Sequence, residues 1–191
     1  MKSLFLLFFC AVILGCHSSD KIETINSKHT FEIVKATDST SFLHWSDGKK
    51  TYRSSKPVSN NYLDHKTKLQ WSNDQYMCLK HSNGSDTWTD LILPFNNNEV
   101  KLYENTLAYD KVNGIVIYET DSLPYKLVAE NITGKKKQYL GEHWKNCSSL
   151  FPHYCIDSIY VENKELYVDW VLPNKIDQPN TAEVQKVKLN F

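Results

Sequence analysis

Between Phe31 and Phe191 the chain returns again and again to one pattern, apolar residues at every second position, broken by turn-forming clusters. That period puts alternate side chains on one face and marks half-buried strands rather than helices. "FEIVKA" opens the series. "SFLHWSDGKKTYRSS" predicts a hairpin turning at Asp47-Gly48, a strong short-range signal. "KLQWSNDQYMCLKHSNGSDTWTDLILPF" predicts three strands with turns at Ser72-Asn73-Asp74 and at Asn83-Gly84-Ser85-Asp86. Further turns are expected at Asn113-Gly114, Thr133-Gly134 and Glu162-Asn163-Lys164, and "AEVQKVKLNF" closes the chain as a strand. No window of helical length shows apolar spacing of 3.6 with caps. Only "SNNYLDHKTK" predicts one short helical turn. The expectation is an all-β domain over residues 31–191, an antiparallel meander of short strands. The 11 Tyr and 5 Trp fit it, because aromatic side chains favour strands.

Three segments share a rhythm: "LQWSNDQYMCLK", "LAYDKVNGIVIYET" and "DSIYVENKELYVDWV". Each pairs a strand with a polar turn and an apolar strand. The first two are followed by a further strand, "DLILPF" and "KLVAENI". This resembles the four-stranded units of β-propellers, which repeat about every 40 residues, but no WD, kelch or Asp-box signature is present. The pattern admits a propeller-like arrangement of such units and equally a sandwich or barrel.

The start of the chain has a different logic. Lys2 precedes an uncharged apolar run from Leu4 to Leu14. A membrane span needs roughly 20 apolar residues, whereas the apolar region of a secretory signal needs about 7–15. The run ends in Ile13-Leu14-Gly15-Cys16 and turns polar at His17. Here the chain resembles bacterial lipoprotein precursors, whose lipobox ends in Gly or Ala followed by an obligatory Cys. Leu14 departs from the small residue usual before the Gly. The resemblance implies a signal peptide over residues 1–15, cleavage before Cys16, lipid on the Cys16 sulfur and a flexible tether over residues 16–30. It implies a membrane partner through that anchor and a place in the cell envelope, facing the periplasm or cell surface. Multiple acyl chains are what make such anchoring durable. "LQWSNDQYMCLKHSNGSDTWTDLILP" and the Asn, Lys, Ile and Tyr usage are similar to lipoproteins of Bacteroidota. That resemblance would make Ser39, Ser122 and Ser158, each after an Asp, candidate O-glycosylation acceptors.

The 22 basic and 22 acidic residues balance, so charge does not point to nucleic acid. The basic run in "GKKKQY" reads as a solvated hairpin tip. Of five cysteines, Cys10 belongs to the signal and Cys16 to the lipid. Cys147 and Cys155 enclose "SSLFPHY" and are expected to form a disulfide, as an oxidising compartment allows. Cys78, inside an alternating strand, is expected to be buried and free.

The stretch "GEHWKNCSSLFPHYC" gathers His143, Cys147, His153 and Cys155, all metal-ligating types. Their spacing matches no defensible zinc pattern, and no cofactor is expected. "HSNGSDTWTD" offers His81, Ser82, Ser85 and Asp86, triad residue types crowded into one turn, where convergence from separate elements is required. Trp45, Trp88 and Trp144 are candidate ligand platforms, since aromatic faces stack on sugars and attract cations. Trp71 and Trp170 are expected in the core. The leading expectation is a non-enzymatic, lipid-anchored module that binds a protein or a glycan. The alternatives are a hydrolase or metal-dependent enzyme built on the His143–Cys155 loop with Glu142 and Asp157, and an immunity or envelope-assembly protein.

Overall fold

The computed structural model describes residues 28–84, 86–120, 123, 125–140, 151–172 and 181–191. The described chain is all-β, with four antiparallel sheets formed in chain order and no closed barrel. The first sheet holds β1 (Thr30–Lys35), β2 (Thr40–Ser46), β3 (Thr51–Arg53) and β4 (Val58–Ser59). The second runs β5 (Lys68–Ser72), β6 (Tyr76–Ser82), β7 (Trp88–Pro94) and β8 (Lys101–Glu104). The third runs β9 (Thr106–Asp110), β10 (Ile115–Glu119), β11 (Leu127–Asn131) and β12 (Lys137–Tyr139). The fourth holds β13 (Ile156–Glu162), β14 (Glu165–Leu172) and β15 (Thr181–Lys188). The three segments that share a rhythm open the second, third and fourth sheets.

Turn chemistry explains the hairpins. At β2–β3, Asp47 Oδ1 accepts from the backbone N–H groups of Lys49 and Lys50 at 2.8 and 2.7 Å, while Gly48 takes φ +86°. At β13–β14, Asn163 and Lys164 both have positive φ, 52° and 61°, the geometry of a two-residue turn that matches strand twist. The single short helical turn expected near residue 60 is a 3₁₀ turn at Asn60–Tyr62. A second one covers Pro152–Cys155.

Three buried clusters lie between successive sheets, so the sheets stack as layers. Phe31, Leu43 and Trp45 of the first sheet pack on Met77, Leu79, Leu91 and Leu93 of the second. Tyr76, Cys78, Ile92 and Tyr103 of the second pack on Val116 of the third, with Ile132 beside it. Ile115, Ile117, Leu127 and Ala129 of the third pack on Leu166, Val168 and Trp170 of the fourth. The two central sheets are thus buried on both faces. Neighbours in β7 show it: Leu91 and Leu93 face the first sheet, and Ile92 faces the third. This is why "LILP" and "IVI" read as continuous apolar runs, while β2 alternates buried and half-buried along its length.

Two expectations about single residues resolve here. Cys78 is buried and free, as its strand pattern predicts. Trp45 is a correction. Its position beside the Asp47-Gly48 turn suggests an exposed platform, yet it is 1 % exposed and its Nε1–H donates to the Pro94 carbonyl at 3.0 Å. The inward phase of β2 carries it into the core, where it stacks on Tyr52. Trp71 and Trp170 are buried, as expected.

Candidate functional site

The second and third sheets do not cover each other completely. The second ends at β8, where Asn105 takes φ +46°, a conformation Asn tolerates better than most residues. Asn105 bonds both ways. Its N–H donates to the Trp88 carbonyl, and its own carbonyl accepts from the Glu119 N–H. Strands β8 and β9 therefore run as one bent strand shared by the two sheets. Beyond that bend the third sheet continues through β10, β11 and β12, and β8 of the second sheet stands over its inner face, where Tyr103 reaches Glu130. The result is a cleft of about 730 Å³, lined by Lys101, Tyr103, Tyr118, Glu130, Lys137 and Tyr139 among others.

Glu130, 5 % exposed, organises the cleft. Tyr103 Oη donates to its Oε1 at 3.3 Å. Tyr118 Oη and Lys137 Nζ both bond Oε2 at 2.8 Å, and Lys137 also donates to Tyr118 Oη at 3.1 Å. Strand register makes this possible, because Glu130 and Lys137 are directly opposite across β11–β12, as are Val128 and Tyr139. Burial, opposed by the Lys137 ammonium and helped by the Glu130 carboxylate, pushes the Tyr118 hydroxyl up to about 12. Burial and the adjacent carboxylate raise Tyr103 as well. The Glu130 carboxylate and the Tyr118 phenol hold the Lys137 ammonium firmly protonated. Lys101, by contrast, is drawn down by burial. It reaches across to the β11–β12 turn, where a Cβ on Gly134 would sit 2.1 Å from its Nζ and where φ is +75°. The positive φ calls for glycine at 134, whereas the Lys101 ammonium, at the end of a flexible side chain, could move aside.

Beside the cleft, Glu119 is 1 % exposed and clamps the segment that precedes β13. Its Oε1 accepts from the His153 backbone N–H at 2.6 Å, and its Oε2 lies 2.8 Å from His153 Nδ1. Burial holds the Glu119 carboxyl above the ordinary glutamate range despite that partner. The His153 ring sits among Tyr154, Phe151 and Trp88, with centroids at 4.3, 5.6 and 5.9 Å.

The candidate residues named from sequence fall out as follows. His153 is engaged by Glu119. Trp88 is half-buried, its Nε1–H donating to the Thr106 carbonyl at 3.1 Å with Lys80 Nζ 4.8 Å over its ring. His81 is buried against Thr67 Oγ1 at 3.1 Å, whereas Ser82 is exposed, so the two do not converge. Cys155 is buried. Cys16, Glu142, His143, Trp144 and Cys147 lie outside the described residues, as do Ser85 and Ser122, and with them the cysteine pairing and the lipid site. Among the described residues no three His, Cys, Asp or Glu side chains are grouped to hold a metal ion. None of the helices there is long and apolar enough to cross a membrane.

Sequence reasoning missed the cleft and also Asp90. "KLYE" carries no alternation or turn that marks β8 as a strand, and nothing in "VAEN" marks Glu130 as buried. Asp90 is 0 % exposed between the central sheets. The Tyr109 hydroxyl donates to its Oδ2, and Lys80 Nζ stands 3.8 Å from Oδ1, beyond hydrogen-bond reach. Desolvation raises this carboxyl. A usable signal existed in the charged residue within the apolar run "TDLILP". No family model matches the chain, and the searches of curated proteins and of solved structures find no match either.

Proposed function

We propose that this chain is a lipid-anchored protein of the bacterial cell envelope, held to a membrane through Cys16, and that its β-domain recognises a protein or a glycan in the cleft between the central sheets without chemically altering it. The observation that carries this reading is the cleft itself. Its volume lies in the range of small-ligand sites, and aromatic rings with a few fixed polar groups are the lining such sites use. The Glu130 carboxylate is already occupied by two phenols and an ammonium, so it serves as a brace for Tyr103, Tyr118 and Lys137. Side chains locked before a ligand arrives lose little freedom on binding, which favours affinity. Glu119 is tied to His153 in the same way. For the anchor, the support is the lipobox-like Ile13-Leu14-Gly15-Cys16 at the end of an apolar run.

The test is capture from solubilised envelopes with the full-length, membrane-processed protein as bait, beside its Tyr139→Ala variant. The expected result is a protein or glycan retained by the first and lost by the second. Capture that ignores the substitution, or conversion of the captured molecule to a smaller product, would overturn the reading.

A further inference from the structure

We infer that the cleft ligand is a neutral glycan, with one sugar ring stacked on Tyr139 and a hydroxyl held by Lys137. The inference rests on the binding reading above and deepens it. Three observations point the same way.

Tyr139 is 65 % exposed although it lines the cleft. The opposite face of its strand is covered, since Gln138 Nε2 donates to the Lys188 carbonyl and its Oε1 accepts from the Asn190 N–H. So β12 is fixed from behind and presents one bare ring on the cleft side. An exposed phenol ring on a braced strand offers a flat apolar face with a polar tip, which suits a sugar with an apolar ring face and hydroxyl edges.

The spacing is the second observation. Lys137 and Tyr139 are two residues apart on β12 and both line the cleft, so they share a face. That separation is about 6.5 Å along a strand, enough to lay one six-membered ring on Tyr139 with an edge at the ammonium. Two of the three Lys137 donors go to Glu130 and Tyr118, which leaves a third for a hydroxyl. On the wall formed by β8, Lys101 and Tyr103 share the face that looks at the third sheet, since they lie opposite Ile92 and Asp90 of β7.

Charge balance is the third. The lining holds Lys101, Lys126 and Lys137 against Glu104, Glu119 and Glu130. A cleft with matched charge exerts little net pull on an anion or a cation. The peptide alternative, strand addition on the open edge of β8, is weaker. That edge is four residues long and carries Lys101 and Glu104, charges of the kind that blunt strand pairing.

The experiment is affinity electrophoresis of the full-length protein in detergent through gels containing dextran, mannan, xylan or pullulan, with polygalacturonate as the anionic comparison. At least one neutral polysaccharide should retard the protein. Tyr139→Ala should weaken that retardation roughly tenfold in apparent Kd, the scale of one lost stacking contact, with no change in melting temperature. Tyr160→Ala, at an exposed position on the fourth sheet, should leave it intact. Retardation by none of the neutral polymers, retardation by polygalacturonate alone, or equal retardation of the Tyr139 variant overturns the inference. Envelope capture separates the two levels. If Tyr139→Ala abolishes capture of a protein while no neutral polymer retards the chain, the glycan inference fails and the binding reading stands. If the variant changes neither assay, both fail.

Discussion

Asp90 shows how much one residue can hide. It stands next to apolar Leu91 on a strand whose two faces are both covered, so its carboxylate has no route to water. The groups that face it are the Tyr109 hydroxyl, the Lys80 ammonium and the Cys78 thiol bonded to the same phenol at 3.6 Å. Desolvation outweighs them and holds the folded carboxyl above its unfolded value of 3.8. The folded state therefore binds more protons than the unfolded one from about pH 4 upward, and stability falls as pH rises through that window. Asp90→Asn keeps the shape and removes the charge. Urea unfolding of the variant should show a shallower loss of stability than the parent as pH rises above about 4. An identical slope in both proteins would mean that Asp90 is solvated in the native state. The cysteines give a second prediction at this scale. If Cys147 and Cys155 are bridged and Cys16 carries lipid, the chain denatured without reduction should show one titratable thiol, that of Cys78. Three thiols would discard the bridge.

At the scale of the strand, the contrast between central and terminal sheets can be measured. Leu91 and Ile92 are neighbours in β7 that point to opposite faces and are both fully buried. Truncating either to Ala should cost about 2–5 kcal/mol, the range for large-to-small core changes. Among the described residues, only the inner face of the fourth sheet is covered. Leu166→Ala should cost the same 2–5 kcal/mol, whereas Val184→Ala, at a position 69 % exposed, should stay within about 0.5 kcal/mol. Denaturant midpoints at unchanged m-value report these differences. A large loss at Val184 would show that something covers the outer face of the fourth sheet. The hairpins themselves were legible because their turns are local. Asp47-Gly48 and Asn163-Lys164 need only their own side chains and backbone angles to reverse the chain. Strand β8 was not legible, since "KLYE" carries no turn of its own and becomes a strand only by pairing with β7.

For the whole molecule, the anchor and the cleft answer to different physics. If Cys16 carries lipid, Cys16→Ala should release the protein from membranes in fractionation and remove its lipid label. A variant that remains membrane-bound at unchanged mass would remove the lipoprotein reading. That prediction needs only residues 1–20, because a processing signal is read as an extended local sequence. The β class, the hairpin positions and the rhythm of the sheets were likewise determined by sequence alone, through side-chain alternation and turn residues that act over a few positions. What only the tertiary structure decided was which faces meet. The period-two pattern says that Trp45 has a definite side, but not that the second sheet would lie against it. Nor does any local signal say that β8 of the second sheet would stand over β10, β11 and β12 of the third and leave Glu130, Lys137 and Tyr139 lining an open cleft. Those outcomes depend on how residues far apart in the chain pack together, and that information is held in no single stretch of it.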